Sequence, residues 1–425
     1  MKSKLLVLVF FSLFIQISTR AESTDKKWRL ASSHQLKEAP DLTETVWELD
    51  RPPYGTYDKI ALHQLKRTEL TKSEAVIVYF PPSATNAALY TEDIANAEKY
   101  DFRIYLAEKN YEIYSVDYRT AFVTGEEEGT DYSFMGDWTT EVFISDLREA
   151  GKQVKKISGK KFFVAGHSTG GRYVYHFTAK NKSSVKGIIS LDGGPWESDG
   201  SPASLYTMDL QQGLDAIKSG DNPESRTLLE GWGFDIGDHF YNAYLGNWSE
   251  HFNAAIIMYY GDGPDTICPE EWGSETSGKT VSEFLKEQFQ SLWGDGQFSN
   301  VENGYADIGV LLAFVTNCGT EWPLAEYLGD AYVGNWRGKM PDERLNYFKN
   351  LKKIEIPLIV FSSEKWTTAL GMQHWYKELG TVLIGGTDTK YVLLEGFGHL
   401  DVLMGTYAEK KVFEPLHQWL EERKK

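Results

Sequence analysis

The segment from Gly166 to Gly170 has the residue types and the spacing for nucleophilic chemistry. A short β-rich run leads into Gly-His-Ser-Thr-Gly, and a helix-like segment follows at once. A G-x-S-x-G nucleophile elbow requires this order of strand, sharp turn and helix. The turn strains the backbone of Ser168, and small residues on either side avoid clashes with the strand and the helix. Ser168 is therefore predicted to project its hydroxyl above the sheet.

A second candidate residue, His399, lies near the end of the chain. Residues 390–405 read KYVLLEGFGHLDVLMG, an apolar strand that ends at Gly398-His399 and is followed by a helix. A hydrogen-bonded imidazole can remove the proton of a serine hydroxyl. His167 belongs to the elbow itself and is predicted to point away from the nucleophile. Four other histidines fall in strand or helix stripes without a partner motif: His63, His176, His374 and His417.

Alternating strands and helices are predicted around these two candidates. Short apolar runs predict strands at 57–65, 74–80, 111–117, 162–165, 186–191, 356–361 and 391–394. Helical apolar spacing is found at 92–110, 137–159 and 406–420. The alternation favours a parallel sheet with helices on both faces. Residues 22–55 show no such pattern and are predicted to be an irregular lead-in.

Residues 196 to about 350 differ from the rest of the chain and are interpreted as an inserted cap. The pattern of alternating strands and helices is thereby divided into a first part, 22–195, and a second part, 351–425. The insertion contains short helical runs such as Val281–Leu292 and seven of the thirteen tryptophans: Trp196, Trp232, Trp248, Trp272, Trp293, Trp322 and Trp336. These rings either contact an apolar substrate or form the core of the cap itself.

Length and charge exclude some classes of protein. A chain of 425 residues with 41% hydrophobic content can bury one large core or form two or three domains. A net charge of −17 argues against nucleic acid as a partner, and no basic segment indicates an anionic membrane. The acidic residues form no block or tail, which indicates a well-solvated exported protein.

Residues 1–21 are predicted to be a secretory signal peptide. Lys2 and Lys4 precede the apolar run Leu5–Ile17, and cleavage is expected near Ala21. The apolar run is too short for a typical membrane span, although a retained N-terminal anchor is the alternative. We expect a secreted or periplasmic protein without an integral membrane span after signal removal.

The chain contains two cysteines, Cys268 and Cys318. In an oxidising compartment such a pair forms a disulfide more readily than a metal site or a nucleophile. A disulfide is therefore predicted within the insertion, and two free thiols are the alternative. Two cysteines alone cannot build a zinc site.

With these residues considered together, the chain resembles the α/β-hydrolase family over residues 57–195 and 351–425. Its C-terminal part looks most like the branch that includes lipases and esterases, and Val116–Arg119 is similar to the family's D-x-R turn. Serine first and histidine last is also the family's chain order. The resemblance implies the α/β-hydrolase fold, with a mostly parallel twisted sheet, helices on both faces and a large inserted cap. It further implies Ser168 as nucleophile, His399 as general base, and no metal or organic cofactor.

The acid partner of the histidine is left open between Asp192 and Glu364. The family most often places this acid after the strand that precedes the histidine, where the chain reads FSSEKW and Trp366 occupies the usual position. Asp192, at the end of the strand beside the elbow strand, is favoured because that placement also exists in the family. Glu364 on a shifted loop is the alternative. Asp401 is interpreted as a cap of the helix that follows.

The resemblance also implies an oxyanion hole with two backbone donors. One is the N–H of Thr169 at a helix N-terminus, and the other comes from the loop after the 74–80 strand. Pro81 and Pro82 have no N–H to donate. The second donor is therefore assigned to Ser83.

These expectations predict an exported serine hydrolase that cleaves carboxylic esters through an acyl-enzyme intermediate. A lipase or carboxylesterase is favoured, with a small-molecule or lipid ester as substrate and an apolar acyl or aromatic group. A serine peptidase or amidase with the same triad is one alternative. A non-catalytic binding protein on a hydrolase fold is another.

Overall fold

The computed structural model describes residues 27–83, 85–123, 134–135, 138, 140–194, 250–274, 276–292, 296–317, 354–369 and 388–424. The predicted signal peptide at residues 1–21, together with His374 and Cys318, lies outside the described residues. The same holds for the parts of the insertion before Glu250 and after Asn317.

Nine strands form one mixed sheet in the described part of the chain. They are β1 Arg29–Gln35, β2 Leu42–Asp50, β3 Lys59–Arg67, β4 Val76–Phe80, β5 Glu112–Asp117, β6 Phe162–His167, β7 Val185–Leu191, β8 Leu358–Ser363 and β9 Thr389–Leu394. The order across the sheet is β1-β2-β3-β5-β4-β6-β7-β8-β9. Strands β1, β2, β3 and β5 pair antiparallel, and every pairing from β5 to β9 is parallel. The predicted mostly parallel sheet is confirmed.

The central strands are apolar because they are covered by neighbouring elements. All residues of β4, β6 and β8 are buried. Parallel strands that are covered on both faces appear in the sequence as continuous apolar runs, and VIVYF in β4 is such a run. The edge strand β1, with the sequence RLASSHQ, is exposed along its whole length.

Nine α-helices accompany the strands among the described residues. They are α1 Phe102–Glu108, α2 Thr140–Ser158, α3 Thr169–Asn181, α4 Glu250–Gly261, α5 Val281–Leu292, α6 Ile308–Asn317, α7 Glu364–Ala369, α8 Asp401–Met404 and α9 Glu414–Glu421. Helix α2 buries Phe143, Leu147, Ala150 and Val154, as its apolar stripe predicts. The five residues Glu409–Phe413 form a π-helical turn that leads into α9.

Residues 22–55 are not an irregular lead-in, because 29–35 and 42–50 form strands β1 and β2. Strand β2 pairs with β3 along its full length, from Leu42 opposite Arg67 to Asp50 opposite Lys59. Glu44 is buried in β2 although it is charged, which obscures the alternation of apolar and polar residues in the sequence. The strand structure of this segment therefore depends on backbone pairing with its neighbouring strands.

The described residues of the insertion, 250–274, 276–292 and 296–317, include three helices and lie between β7 and β8 in the chain. Helix α6, with the sequence IGVLLAFVTN, is largely buried. Trp272 stacks on His251 with ring centroids 5.1 Å apart, and it also contacts Phe284. Trp272 therefore packs within the insertion itself.

The predicted disulfide is not supported by the structure. Cys268 is a buried free thiol, and burial raises its pKa. The predicted disulfide partner of Cys268, Cys318, lies outside the described residues. Within the part of the chain that the structure covers, no helix has the length and hydropathy to cross a membrane.

Candidate active site

Ser168 occupies the sharp turn between β6 and α3. Its backbone angles are φ 54° and ψ −123°, a conformation that a residue with a side chain rarely adopts. The Ser168 N–H donates to the carbonyl oxygen of Leu191 at the end of β7, at 3.2 Å. Helix α3 begins at the next residue. The hydroxyl therefore stands where the carboxyl end of the sheet meets a helix N-terminus.

Two glycines allow this turn to pack closely against its surroundings. A Cβ at Gly166 would lie 2.1 Å from the carbonyl oxygen of Gly170. A Cβ at Gly170 would lie 2.0 Å from the carbonyl oxygen of Phe80, the last residue of β4. Any side chain at either position would displace the backbone. The glycines therefore bring the start of α3 against the end of β4.

His399 and Asp192 form a buried hydrogen-bonded pair. The distance from His399 Nδ1 to Asp192 Oδ2 is 2.7 Å, and the side chains are 4% and 0% exposed. Asp192 directly follows β7, and His399 lies in the loop after β9. Because β6, β7, β8 and β9 run parallel, their carboxyl ends place these two residues on the same sheet edge as Ser168.

Ser363, the last residue of β8, orients the Asp192 carboxylate. Its backbone N–H donates to Asp192 Oδ1 at 2.8 Å, and its hydroxyl donates to Oδ2. Burial raises the pKa of Asp192, and the two bonds from Ser363 act in the opposite direction. The Oδ2 atom accepts from the Ser363 hydroxyl and faces His399 Nδ1, so the carboxylate is held in one orientation against the imidazole.

Glu364 and Asp401 are near the histidine in sequence or space, but both contact backbone groups. Glu364 Oε2 accepts from the N–H of Gly396 at 2.9 Å. The interpretation of Asp401 as a helix cap is wrong, because the N-cap residue is Leu400 and the Asp401 carboxylate makes no cap hydrogen bond. It accepts instead from the N–H of Gly398, at 2.7 Å, and from two groups of the insertion. Burial raises the pKa of Asp401 to about 6.

His167 contacts His399, which the sequence did not indicate. The ring centroids are 4.4 Å apart, and His167 Nε2 is 2.9 Å from the carbonyl oxygen of His399. Burial, together with the nearby His399, lowers the pKa of His167 to about 3. A neutral ring with its proton on Nε2 donates to that carbonyl. His167 therefore adds a hydrogen bond to the histidine backbone without adding charge.

One proposed oxyanion donor lies at the start of α3, and the other lies in the loop that follows β4. Thr169 is the first residue of α3, and Ser83 lies three residues after β4; both are buried. The loop between β4 and Ser83 is fixed by side-chain donors. Tyr118 donates to the carbonyl of Pro81 and Thr85 to that of Pro82, each at 2.8 Å.

Asp117 and Arg119, the two charged residues of the D-x-R segment, make different structural contacts. Asp117 accepts from the N–H of Ala87 at 2.6 Å, and the buried Arg119 pairs with Asp58 and Asp146. A cavity of about 630 Å³ lies beside this ion-pair cluster, and the candidate triad Ser168, Asp192 and His399 is not among its lining residues.

Comparison with solved structures identifies the fold. A candidate lipase from Sulfolobus solfataricus superimposes with a TM-score of 0.64 at 21% identity, over 93% of this chain and 99% of that chain. The chain has the α/β-hydrolase fold. At 21% identity this likeness establishes the fold.

Two further solved structures match the chain with lower TM-scores. A candidate lipase from Acinetobacter baumannii AYE has a TM-score of 0.40 at 15% identity, over 93% of this chain and 92% of that one. A carboxylesterase structure from the thaumarchaeon Nitrososphaera gargenis has a TM-score of 0.40 at 11% identity, over 88% and 97%. No protein-family model and no curated protein sequence matches the chain.

At the position where an α/β-hydrolase fold most often carries its acid, the chain has Trp366, and this ring contacts the histidine. It stacks on His399 with centroids 4.6 Å apart and planes 29° apart. Phe298, from the insertion, contacts both rings edge-on, 4.9 Å from Trp366 and 5.5 Å from His399. These two aromatic neighbours come from segments that are far from His399 in the chain, so no local sequence pattern indicates them.

Proposed function

We propose that the chain is a serine hydrolase that cleaves carboxylic esters, with Ser168 as nucleophile, His399 as general base and Asp192 as the acid partner. One observation carries the proposal. A buried histidine lies 2.7 Å from a fixed carboxylate, at the sheet edge where a serine occupies a strained strand-to-helix turn. The pairing of serine with a carboxylate-oriented imidazole is the arrangement that activates a hydroxyl for acyl transfer.

In the first step, Ser168 Oγ forms a bond to the ester carbonyl carbon while its proton moves to His399 Nε2. Asp192 stabilises the resulting imidazolium through Nδ1–H, which is the nitrogen that it contacts. His399 then transfers that proton to the departing alkoxide oxygen as the C–O bond breaks. The products of this step are the free alcohol and an acyl-Ser168 intermediate.

In the second step, water replaces the alcohol. His399 Nε2 accepts a proton from the water as the oxygen attacks the acyl carbon, and returns it to Ser168 Oγ when the ester bond breaks. The carboxylic acid leaves and the serine is restored. The N–H groups of Thr169 and Ser83 are the proposed donors to the carbonyl oxygen, which becomes negatively charged in both steps.

The aromatic residues at His399 support an ester with an apolar acyl or aromatic part. Trp366 and Phe298 present rings beside the imidazole. Burial of about 100 Å² of apolar ligand surface against such rings contributes on the order of 2.5 kcal/mol. We further propose that the protein is exported, because Lys2, Lys4 and the apolar run after them have the pattern of a signal peptide.

Hydrolysis of p-nitrophenyl esters of increasing acyl length, together with labelling by a fluorophosphonate probe, tests the proposal. Ser168→Ala is expected to abolish labelling and to lower kcat by at least about 10⁴-fold. Ser183→Ala, an exposed serine after helix α3, is the matched control and should label as the wild type does. Absence of labelling in the wild type would support a non-catalytic binding protein. Faster turnover of amides than of esters would support a peptidase or amidase.

A further inference from the structure

Part of the insertion lies directly against the loop that carries the histidine. We call residues 296–306 the docking segment and residues 396–406 the histidine loop. Backbone hydrogen bonds join them: His399 N–H to Gln297 O at 2.9 Å, Leu400 N–H to Phe298 O at 2.7 Å, and Thr406 N–H to Tyr305 O at 2.8 Å. Ala306 and Gly405 form an additional β-bridge. The backbone of His399 itself is therefore held by the insertion.

Asp401 connects the two segments with its carboxylate. Its Oδ1 accepts from the hydroxyl of Ser299 at 2.6 Å, and its Oδ2 accepts from the N–H of Asn300 at 2.9 Å. Oδ2 also accepts from the N–H of Gly398, the residue before the histidine, at 2.7 Å. Asp401 is fully buried, so loss of the carboxylate would leave these donors without an acceptor in a site that excludes water.

Asn300 makes a second connection. Its side-chain amide donates to the carbonyl of Gly396 at 2.6 Å, and its side-chain oxygen accepts from Asn303 at 2.8 Å. Gly396 is thus bonded directly to the docking segment, and Gly398 is bonded to it through the Asp401 carboxylate.

The contact is also sterically close at Gly398. A Cβ at this position would lie 2.6 Å from the carbonyl oxygen of Gly296 and 2.8 Å from Ser299 Cα. The two backbones are therefore in contact without an intervening side chain. Such packing transmits a displacement of the docking segment to the neighbouring His399.

We propose that Asp401, together with Ser299 of the insertion, is a positioning residue that sets the place of His399 for proton transfer. The inference rests on the proposed function, since it assigns the base of that reaction to His399. Asp401 contacts no reacting atom; it acts through the N–H of Gly398 and through the docking segment. The docking segment of the insertion is therefore a structural component of the catalytic site.

Asp401→Ala tests the proposal, and Asp401→Asn is the conservative variant. Alanine removes all three acceptor contacts, and a misplacement of about 1 Å can cost on the order of 100-fold in kcat, with KM changed by less than about threefold. In Asp401→Asn the amide oxygen can still accept from both N–H groups, while its NH₂ faces the Ser299 hydroxyl. We expect kcat of that variant to return to within about fivefold of wild type.

Two controls separate positioning from a loss of stability. Leu416→Ala removes a buried side chain of α9, a part of the core that does not include Asp401, and lowers the free energy of unfolding. Asp307→Ala removes a carboxylate that accepts from N–H groups at the start of helix α6 in the insertion. Both should retain kcat per folded molecule and the rate of fluorophosphonate labelling.

Ser299→Ala supplies a second variant that removes one donor and keeps the backbone contacts. We expect a loss of about fivefold in kcat alone and no further loss when it is combined with Asp401→Ala, because Ser299 acts through that carboxylate. Equal labelling rates of wild type, Ser299→Ala and folded Asp401→Ala would overturn the positioning role. If Asp401→Ala does not fold, unchanged kcat in Ser299→Ala alone overturns it. Failure of the wild type to label would instead contradict the proposed function.

Discussion

His63 in β3, which is partly buried, and His399 after β9, which is buried, both face carboxylates, but their surroundings differ. His63 lies between two carboxylates, with Nδ1 3.1 Å from Glu44 on β2 and Nε2 2.9 Å from Asp117 on β5. His399 contacts the Asp192 carboxylate through Nδ1, and aromatic rings lie beside its imidazole.

The number of carboxylates determines the chemistry that each ring can perform. Burial lowers the pKa of His63, but Asp117 and Glu44 outweigh it and raise the pKa to about 10. With both nitrogens bound to carboxylates, the ring is a cation at neutral pH and has no nitrogen that can accept a proton. A ring oriented through Nδ1 alone presents Nε2 for proton transfer. A second carboxylate therefore keeps the His63 ring protonated, so that this ring stabilises the structure and cannot act as a base.

Replacement of the two histidines should separate these roles most clearly. His399→Gln is expected to lower kcat by about 10⁴-fold or more, because the general base is lost. His63→Gln should leave kcat within about threefold of wild type and lower the free energy of unfolding by roughly 2 kcal/mol, since Glu44 and Asp117 lose their cationic partner. Steady-state kinetics and urea denaturation of both variants provide the measurement. A large loss of kcat in His63→Gln with normal stability would contradict the distinction.

The carboxylates provide a second test, at the His399 site itself. Asp192→Asn should cost on the order of 10³–10⁴-fold in kcat, because the amide no longer holds the tautomer or stabilises the imidazolium. Glu364→Gln should cost less than about tenfold, since its side chain accepts from the N–H of Gly396, and an amide oxygen can do the same. The two variants are compared in the same ester assay. The opposite ranking would assign the acid to Glu364.

The pH dependence of stability gives the smallest of the expected effects. His63 has a folded pKa of about 10, above the ordinary value of 6.5, so its stabilising contribution is complete below pH 6.5. The contribution is lost as the pH rises through the folded value. Between pH 7 and pH 10 the free energy of unfolding should therefore fall in the wild type by on the order of 2 kcal/mol more than it does in His63→Gln. Parallel curves for the two proteins would show that His63 is not held as a cation.

Much of the sheet and the elbow could be predicted from local sequence. Apolar runs such as VIVYF identify buried parallel strands, and a serine between glycines after such a run identifies the sharp turn. Both signals are contained within about ten residues. Strands β1 and β2 were missed. Strand β2 owes its structure to antiparallel pairing with β3 and contains a buried glutamate, and the exposed edge strand β1 pairs with β2.

The family resemblance favoured Asp192 as the carboxylate that reaches the imidazole, but the residues alone left Glu364 open as the alternative. Asp192 and Glu364 both follow predicted strands, and their distance from His399 depends on the order of β7, β8 and β9 and on the positive φ of 47° at Asp192. The partners of His63 were missed for the same reason, since Glu44 and Asp117 meet it only across strand pairs.

The sequence by itself determined the type of strand, turn and helix around Ser168 and the chain order of serine and histidine, because these depend on periodicity and on local backbone conformation. Only the tertiary structure decided which carboxylate faces each histidine, that Trp366 and Phe298 lie beside His399, and that Asp401 joins the insertion to the histidine loop. Those contacts join residues that are far apart in the chain. Their physical origin is the pairing of strands and the packing of one backbone against another.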